Sequence, residues 1–280
     1  MYRTYCAQPV EKEEILGFLE ARGRLENAWL IREVADTLDY GFTQQEVVAC
    51  RHDGELTGVA WIMHQDRVAP GYRPSNDYDV RIDAADTASL EALIEWMPSE
   101  QLGGFWLFWP MIRHHFAGLP DVTCRPGDPY FTVSPERFRS VAGEEVVRVT
   151  AADAALFEGC ERQPHWEHVR EDHPIYAILQ EGRAASSVGT FPLTPRAHKP
   201  RVIGISGLYT ETSHRRRGFG GRLISHVTRT ILSEGDLPMY WSEPENAASQ
   251  GLAKSLGYWQ FGEYVRCFWR KPAGEWETTR

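Results

Sequence analysis

The chain has 280 residues, 42% of them hydrophobic and 25% charged, a balance that suits packed globular structure and excludes disordered, collagen-like and coiled-coil chains. The length exceeds the roughly 100 to 200 residues of a single domain, so two lobes are expected. A net charge of -9 repels phosphate backbones, which excludes duplex nucleic acid as a natural partner and mildly favours cationic small molecules.

The sequence begins without a cationic segment followed by an apolar one, and no apolar run of about 18 residues follows. A cytoplasmic location without membrane contact is therefore expected. The cysteines at 6, 50, 124, 160 and 267 are odd in number and scattered, form no CxxC pair and have no histidine at metal-ligand spacing. They are expected to be reduced, buried thiols, and no metal site is expected.

In chain order, Glu11 to Leu38 reads as a helical stretch, because Ile15, Leu16, Phe18 and Leu19 recur too closely for a strand. Glu46 to Arg51 and Leu56 to Met63 form a hairpin around the Asp53-Gly54 turn signal. A strand at Tyr78 to Ile82, a helix near Thr87 to Trp96 and the aromatic strand Phe105 to Trp109 follow, and His114 and His115 read as solvated. The second half repeats the order: a strand at Val146 to Thr150, a helix near Ala152 to Cys160, a hairpin turning at Glu181-Gly182, and an apolar strand from Val202 to Tyr209. Two copies of helix, hairpin, strand, helix, strand predict an α/β protein with mixed sheets, in two lobes spanning 1–143 and 144–280.

The richest chemistry lies in residues 202–221, VIGISGLYTETSHRRRGFGG. Glycine lets backbone N–H groups converge, and the first turn of a helix leaves about four of them unpaired, so this junction suits an anion such as a diphosphate. Arg215, Arg216, Arg217 and Arg222 add charge there, and arginine binds phosphate oxygens in a fork. Leu223, Ile224, Val227, Ile231 and Leu232 mark one face of the following helix, with Gly235 as its C-terminal cap. The glycine spacing lacks the third glycine of a dinucleotide fingerprint, and no GK[ST] follows.

Arg215-x-x-Gly218-x-Gly220, after a strand and before an amphipathic helix, resembles the acyl-CoA pyrophosphate loop of the GNAT-superfamily N-acetyltransferases. The segment Asn246 to Tyr258 resembles that family's later helix, with Asn246 and Gly257 suited to its two caps. The resemblance covers about residues 146–270 and implies a tandem GNAT whose first lobe, with Asp83-Ala-Ala-Asp-Thr-Ala in place of the loop, is a degenerate copy without CoA. It implies acetyl-CoA as cofactor, with the pantetheine arm against Leu208, Tyr209 and Thr210, the diphosphate on Arg215, Arg216, Arg217, Gly218, Phe219, Gly220 and Gly221, and Asn246 near the arm.

The implied activity is transfer of an acetyl group to the amine of a small molecule or amino acid derivative, in a monomer whose tandem replaces a dimer. Counting back from Arg215 puts the family's usual base positions at Gly204 and Ser206, neither a base, and its usual acidic tyrosine falls at Ala253. Glu243 is the expected substitute base. His165, Trp166, His168 and Trp241 are expected to shape the acceptor pocket. The missing groups leave two alternatives open, a thioester decarboxylase and an acyl-CoA-binding module without turnover.

Overall fold

Alternation of apolar residues along the strands and apolar stripes along the helices produce two mixed sheets covered by helices. The computed structural model describes residues 1–65, 76–142, 146–164, 166, 169 and 171–272. Two units result, Met1–Gly127 with Glu263–Arg280, and Asp128–Gly262.

Unit 1 runs β1 (Tyr2–Cys6), α1 (Lys12–Gly23), α2 (Ala28–Tyr40), β2 (Gln45–His52), β3 (Glu55–His64), β4 (Tyr78–Ala84), α3 (Thr87–Trp96), β5 (Leu102–Leu107), α4 (Pro110–Ala117) and β6 (Thr123–Cys124). Strands β1 to β4 pair antiparallel in sequence order, and β4 pairs parallel with β5. The helical stretch expected at 11–38 is two helices. The chain turns between them where Asn27 N–H donates to Gly23 O at 2.9 Å and the Asn27 side-chain amide donates to Leu19 O at 2.9 Å. His114 and His115 lie on α4, which the sequence reading did not anticipate; His114 is exposed, and His115 is half-buried with its ring centroid 6.3 Å from that of Phe116.

Unit 2 runs β7 (Asp128–Thr132), β8 (Val146–Val149), a 3₁₀ turn at Ala151–Phe157, β9 (Ile175–Gln180), β10 (Arg183–Pro192), β11 (Val202–Thr210), α5 (Phe219–Ser233), β12 (Leu237–Trp241) and α6 (Ala247–Ser255), and then the chain enters β13 (Trp259–Arg270). The helix expected over Ala152 to Cys160 is thus only 3₁₀, held at its start by mutual bonds between Thr150 and Asp153. Strands β8 to β11 are antiparallel neighbours, while β11 and β12 are parallel. Helix α5 buries Leu223, Ile224, Val227 and Ile231, each contributing about 1.5–3 kcal/mol, and Gly235 follows it at φ +72 as expected of a cap.

The expected boundary lies among residues outside those described, and the units are not sequential halves. Strand β7 pairs antiparallel with β12 through Tyr130↔Trp241, while the later part of β13 pairs antiparallel with β5 from Val265↔Leu107 to Arg270↔Leu102. The sheet of unit 1 thereby takes its last strand from the far end of the sequence, whereas β7 opens the continuous stretch of unit 2. The return of β13 also overturns the expectation of five free thiols. Cys267 on β13 stands opposite Cys124 on β6 in the ladder, and the two form a disulfide across a sequence separation of 143. Of the free cysteines, only Cys50 is buried; Cys6 is exposed and Cys160 intermediate. Among the described residues no helix is long and apolar enough to cross a membrane, and no cluster of metal-ligating side chains occurs.

Candidate functional site

In unit 2 the parallel ladder between β11 and β12 runs from Val202↔Leu237 to Ile205↔Tyr240 and ends there. Strand β11 continues to Thr210, still paired on its other side with β10 through Ser187↔Tyr209 and Ser186↔Thr210. Leu208, Tyr209 and Thr210 therefore lie on a strand segment beyond the end of the β12 ladder, an arrangement that accepts an extended ligand by strand addition. The β10 register shifts between Ser187 and Gly189, and Gly207 on β11 has φ +69, so the sheet bends at this level.

The loop that follows has a backbone geometry that can hold an anion. Arg216 and Gly218 both occupy left-handed backbone, at φ +64 and +82, and residues of that kind turn successive N–H groups toward one point. The first bond within α5 is Arg222 N–H to Gly218 O at 3.1 Å, so the N–H groups of Phe219, Gly220 and Gly221 precede the ladder, at the positive end of the helix dipole. Gly220 and Gly221 line a groove: a Cβ on Gly220 would meet Leu208 at 3.6 Å and Leu252 at 3.7 Å, and one on Gly221 would meet Leu252 at 3.4 Å. A larger side chain would fill that cradle. Phe219 is buried, and the guanidinium groups of Arg217 and Arg222 lie 5.4 and 5.6 Å from its ring centroid.

Arg215 does more than supply charge. Its Nε donates to Thr210 O at 3.1 Å, and its guanidinium lies 5.5 Å from the Tyr209 ring centroid. Tyr209 O–H donates to Glu161, which also accepts from the Thr212 hydroxyl at 2.8 Å. These bonds hold the Glu161 carboxyl below the usual carboxylate range, and the bond to Glu161 pushes the Tyr209 phenol up. The network ties the segment beginning at Glu161 to the end of β11. Asn246 caps α6, its side chain accepting from Ser249 N–H at 3.0 Å.

A cavity of about 330 Å³ opens beside Ser206 and Gly207. Pro164, Val169, Ile175, Val188 and Phe191 give it an apolar wall, with Arg162 and His173 as its charged or titratable members. Of the residues expected to shape it, His165 and His168 lie outside the described residues. Trp166 does not line it; its ring packs 5.2 Å from Phe157 in a core cluster with Val149 and Ala177. Trp241 sits behind the wall, 5.6 Å from Tyr130 and 6.0 Å from the cavity-lining Phe191. Glu243 is exposed just beyond β12 and is absent from the wall.

The two family base positions have distinct fates. A Cβ on Gly204 would lie 3.1 Å from the Phe191 ring and 3.3 Å from Leu193, so packing closes that position to a longer side chain. Ser206 reaches the cavity. Ala253, at the position of the usual tyrosine, is fully buried in the core under α5. His173, His-Pro before β9, escaped the sequence reading because nothing near it in the chain marks a site; only the hairpin β9–β10 brings it to Phe191, ring centroids 6.0 Å apart.

Unit 1 has the same splay without the site. Its β4–β5 ladder ends at Arg81↔Trp106, and the space beyond is filled by the buried Asp83, which accepts from Arg22 twice at 2.8 Å and from Asn27 at 2.9 Å. Arg22 also donates to Ala84 O at 2.7 Å, occupying strand backbone, and Asp86 accepts from Ser89 N–H at 2.7 Å, so α3 already carries a carboxylate at its N-terminus.

This order of elements, the splay after the fourth strand of each unit and the arginine-glycine loop before α5 decide the fold. The chain has the fold of a tandem GNAT. Residues 194–267 match the model of the family described as FR47-like protein. Across 98% of this chain and 100% of the other, a tandem GNAT protein from the clavulanic acid biosynthesis pathway superposes with a TM-score of 0.61 at 12% identity. An acetyltransferase from the GNAT family of Colwellia psychrerythraea gives 0.62 at 11% identity over 96% and 99% of the two chains. A GCN5-related N-acetyltransferase from Sphaerobacter thermophilus gives 0.56 at 14% identity over 99% and 98%. No curated protein matches the sequence.

Proposed function

We propose that unit 2 is an acetyl-CoA-dependent N-acyltransferase acting on a small-molecule amine. The observation that carries this reading is the conjunction, on one strand-loop-helix unit, of the β11 segment beyond the ladder, the left-handed Arg216 and Gly218, and the cavity at Ser206 and Gly207. Bound acetyl-CoA supplies an activated acyl thioester. Backbone groups of Leu208 to Thr210 would align its arm by strand addition, and the N–H groups of Phe219 to Gly221 with Arg216 and Arg217 would hold the diphosphate. Arg215 fixes the Thr210 carbonyl and so the angle at which the strand meets the loop. The cavity receives the acceptor at the bend of β11, and its apolar wall limits water there.

The amine must lose its proton before it attacks. His173 lies on the cavity wall and is the nearer candidate to take it; Glu243 would act only from its exposed position beyond β12. A thiolate of pKa near 8.5 leaves without an acid at modest cost, which suits the alanine at 253.

Arg215→Ala with Arg217→Ala should weaken CoA binding by about 1–3 kcal/mol, through lost charge-assisted bonds and a loosened strand end. Titration calorimetry with CoA reads the change, and an unaltered affinity removes the loop assignment. Carbon dioxide release from malonyl-CoA without an amine would replace the transferase with the decarboxylase.

A further inference from the structure

Resting on the transferase reading above, we infer that the acceptor is an amine bearing a carboxylate and an apolar body, and that Arg162 is the residue that selects it. The cavity wall carries no aspartate or glutamate among the described residues. A pocket meant for polyamines or aminoglycosides, whose extra cationic groups need counter-charges when they leave water, would have to supply them. The acidic character of the whole chain is thus no guide to this cavity, where Arg162 is the arginine or lysine among the described lining residues.

Arg162 is also uncommitted. Among the described residues it has no hydrogen-bond or ion-pair partner, whereas its neighbours are engaged: Arg183 donates to Glu158 O, Arg148 to Glu171 O and Arg215 to Thr210 O. Its backbone position is fixed by the preceding residue, since Glu161 accepts from Thr212 at 2.8 Å and its N–H donates to Glu211 at 3.1 Å. A planar guanidinium held at the rim of an apolar cavity matches a carboxylate in a bidentate fork. The rest of the wall, Pro164, Val169, Ile175, Val188 and Phe191, suits an aliphatic or aromatic body. The cavity, about 330 Å³, matches the lower end of small-ligand sites, roughly 300–1,000 Å³.

The test compares acceptors that differ only in the carboxylate. With acetyl-CoA, the full chain is assayed for thiol release with leucine, leucinamide, 3-methylbutylamine and spermidine, and CoA binding is measured separately by calorimetry. Leucine should exceed the amide and the decarboxylated amine at least tenfold in kcat/KM, and Arg162→Gln should erase that preference while CoA affinity stays unchanged. Arg162→Lys should restore part of it, which separates charge recognition from loss of folding. Equal use of the neutral amines, a preference for spermidine, no turnover of leucine by a protein that binds CoA, or an Arg162→Gln variant that keeps the preference would each overturn the inference. Absent CoA binding, the transferase reading itself falls, and this inference with it.

Discussion

Replacing His173 with alanine should lower kcat/KM by about two to four orders of magnitude, the usual worth of a positioned general base. The expectation follows from location: among the described residues on the cavity wall, His173 is the one imidazole, the side chain most often used for general acid-base work. The loss should fall mainly on kcat, since a base acts after the acceptor is seated. Added imidazole should recover part of the rate in His173→Gly, because the vacated space adjoins an open cavity. Glu243→Gln should leave the rate within about threefold if His173 takes the proton. A His173→Ala variant with near-normal kcat/KM, or a Glu243→Gln variant that loses most of its rate, would transfer the role to Glu243.

Asp236→Asn should cost about 3–5 kcal/mol of stability, measured as a lowered denaturant midpoint. Asp236 lies at the start of β12 with a fully buried side chain, and its carboxylate accepts from Lys199 Nζ at 2.8 Å, Arg201 N–H at 2.9 Å and Arg201 Nε at 2.7 Å. The pair locks β11 and β12 at the end opposite the splay. Burial pushes the Asp236 carboxyl up, but the bonds from Arg201 and Lys199 outweigh it and hold the group below the usual carboxylate range. A depressed carboxyl stabilises the fold above its unfolded value of about 3.9, and that contribution is lost as pH falls through the folded value. The gap between wild type and Asp236→Asn should therefore be full at neutral pH and narrow below about pH 4. An asparagine variant within about 1 kcal/mol of wild type, or a gap independent of pH, would show that the network contributes little.

Local chemistry carried much of this reading. The hairpins at Asp53-Gly54 and Glu181-Gly182 announce themselves because a two-residue turn with left-handed backbone needs such residues, and Asp53, Gly54, Glu181 and Gly182 all have positive φ. Gly235 marks a helix end for the same reason, and Asn246 marks a helix start because its side chain accepts from a free N–H of the first turn. The arginine-glycine loop was legible because its turn needs a backbone conformation that glycine advertises, as Gly218 at φ +82 shows. The acceptor side was not. Its wall comes from the segment 162–175, from β10 and from β11, and each contributes ordinary residues whose meaning arises only where they meet. Trp166 shows the hazard, since an aromatic beside histidines suggested a pocket and instead packs on Phe157.

By itself the sequence determined the two-lobed α/β plan and the strand, turn and helix around the loop before α5, because turn chemistry, periodicity and helix caps act within a few residues. Tertiary structure alone decided that β7 pairs with β12 and the end of β13 with β5, that Cys124 meets Cys267, that Phe191 closes Gly204 and that His173 and Arg162 share a cavity. Those outcomes rest on pairings between residues far apart in the chain, where no local preference favours one partner over another and only the burial of whole strands selects it.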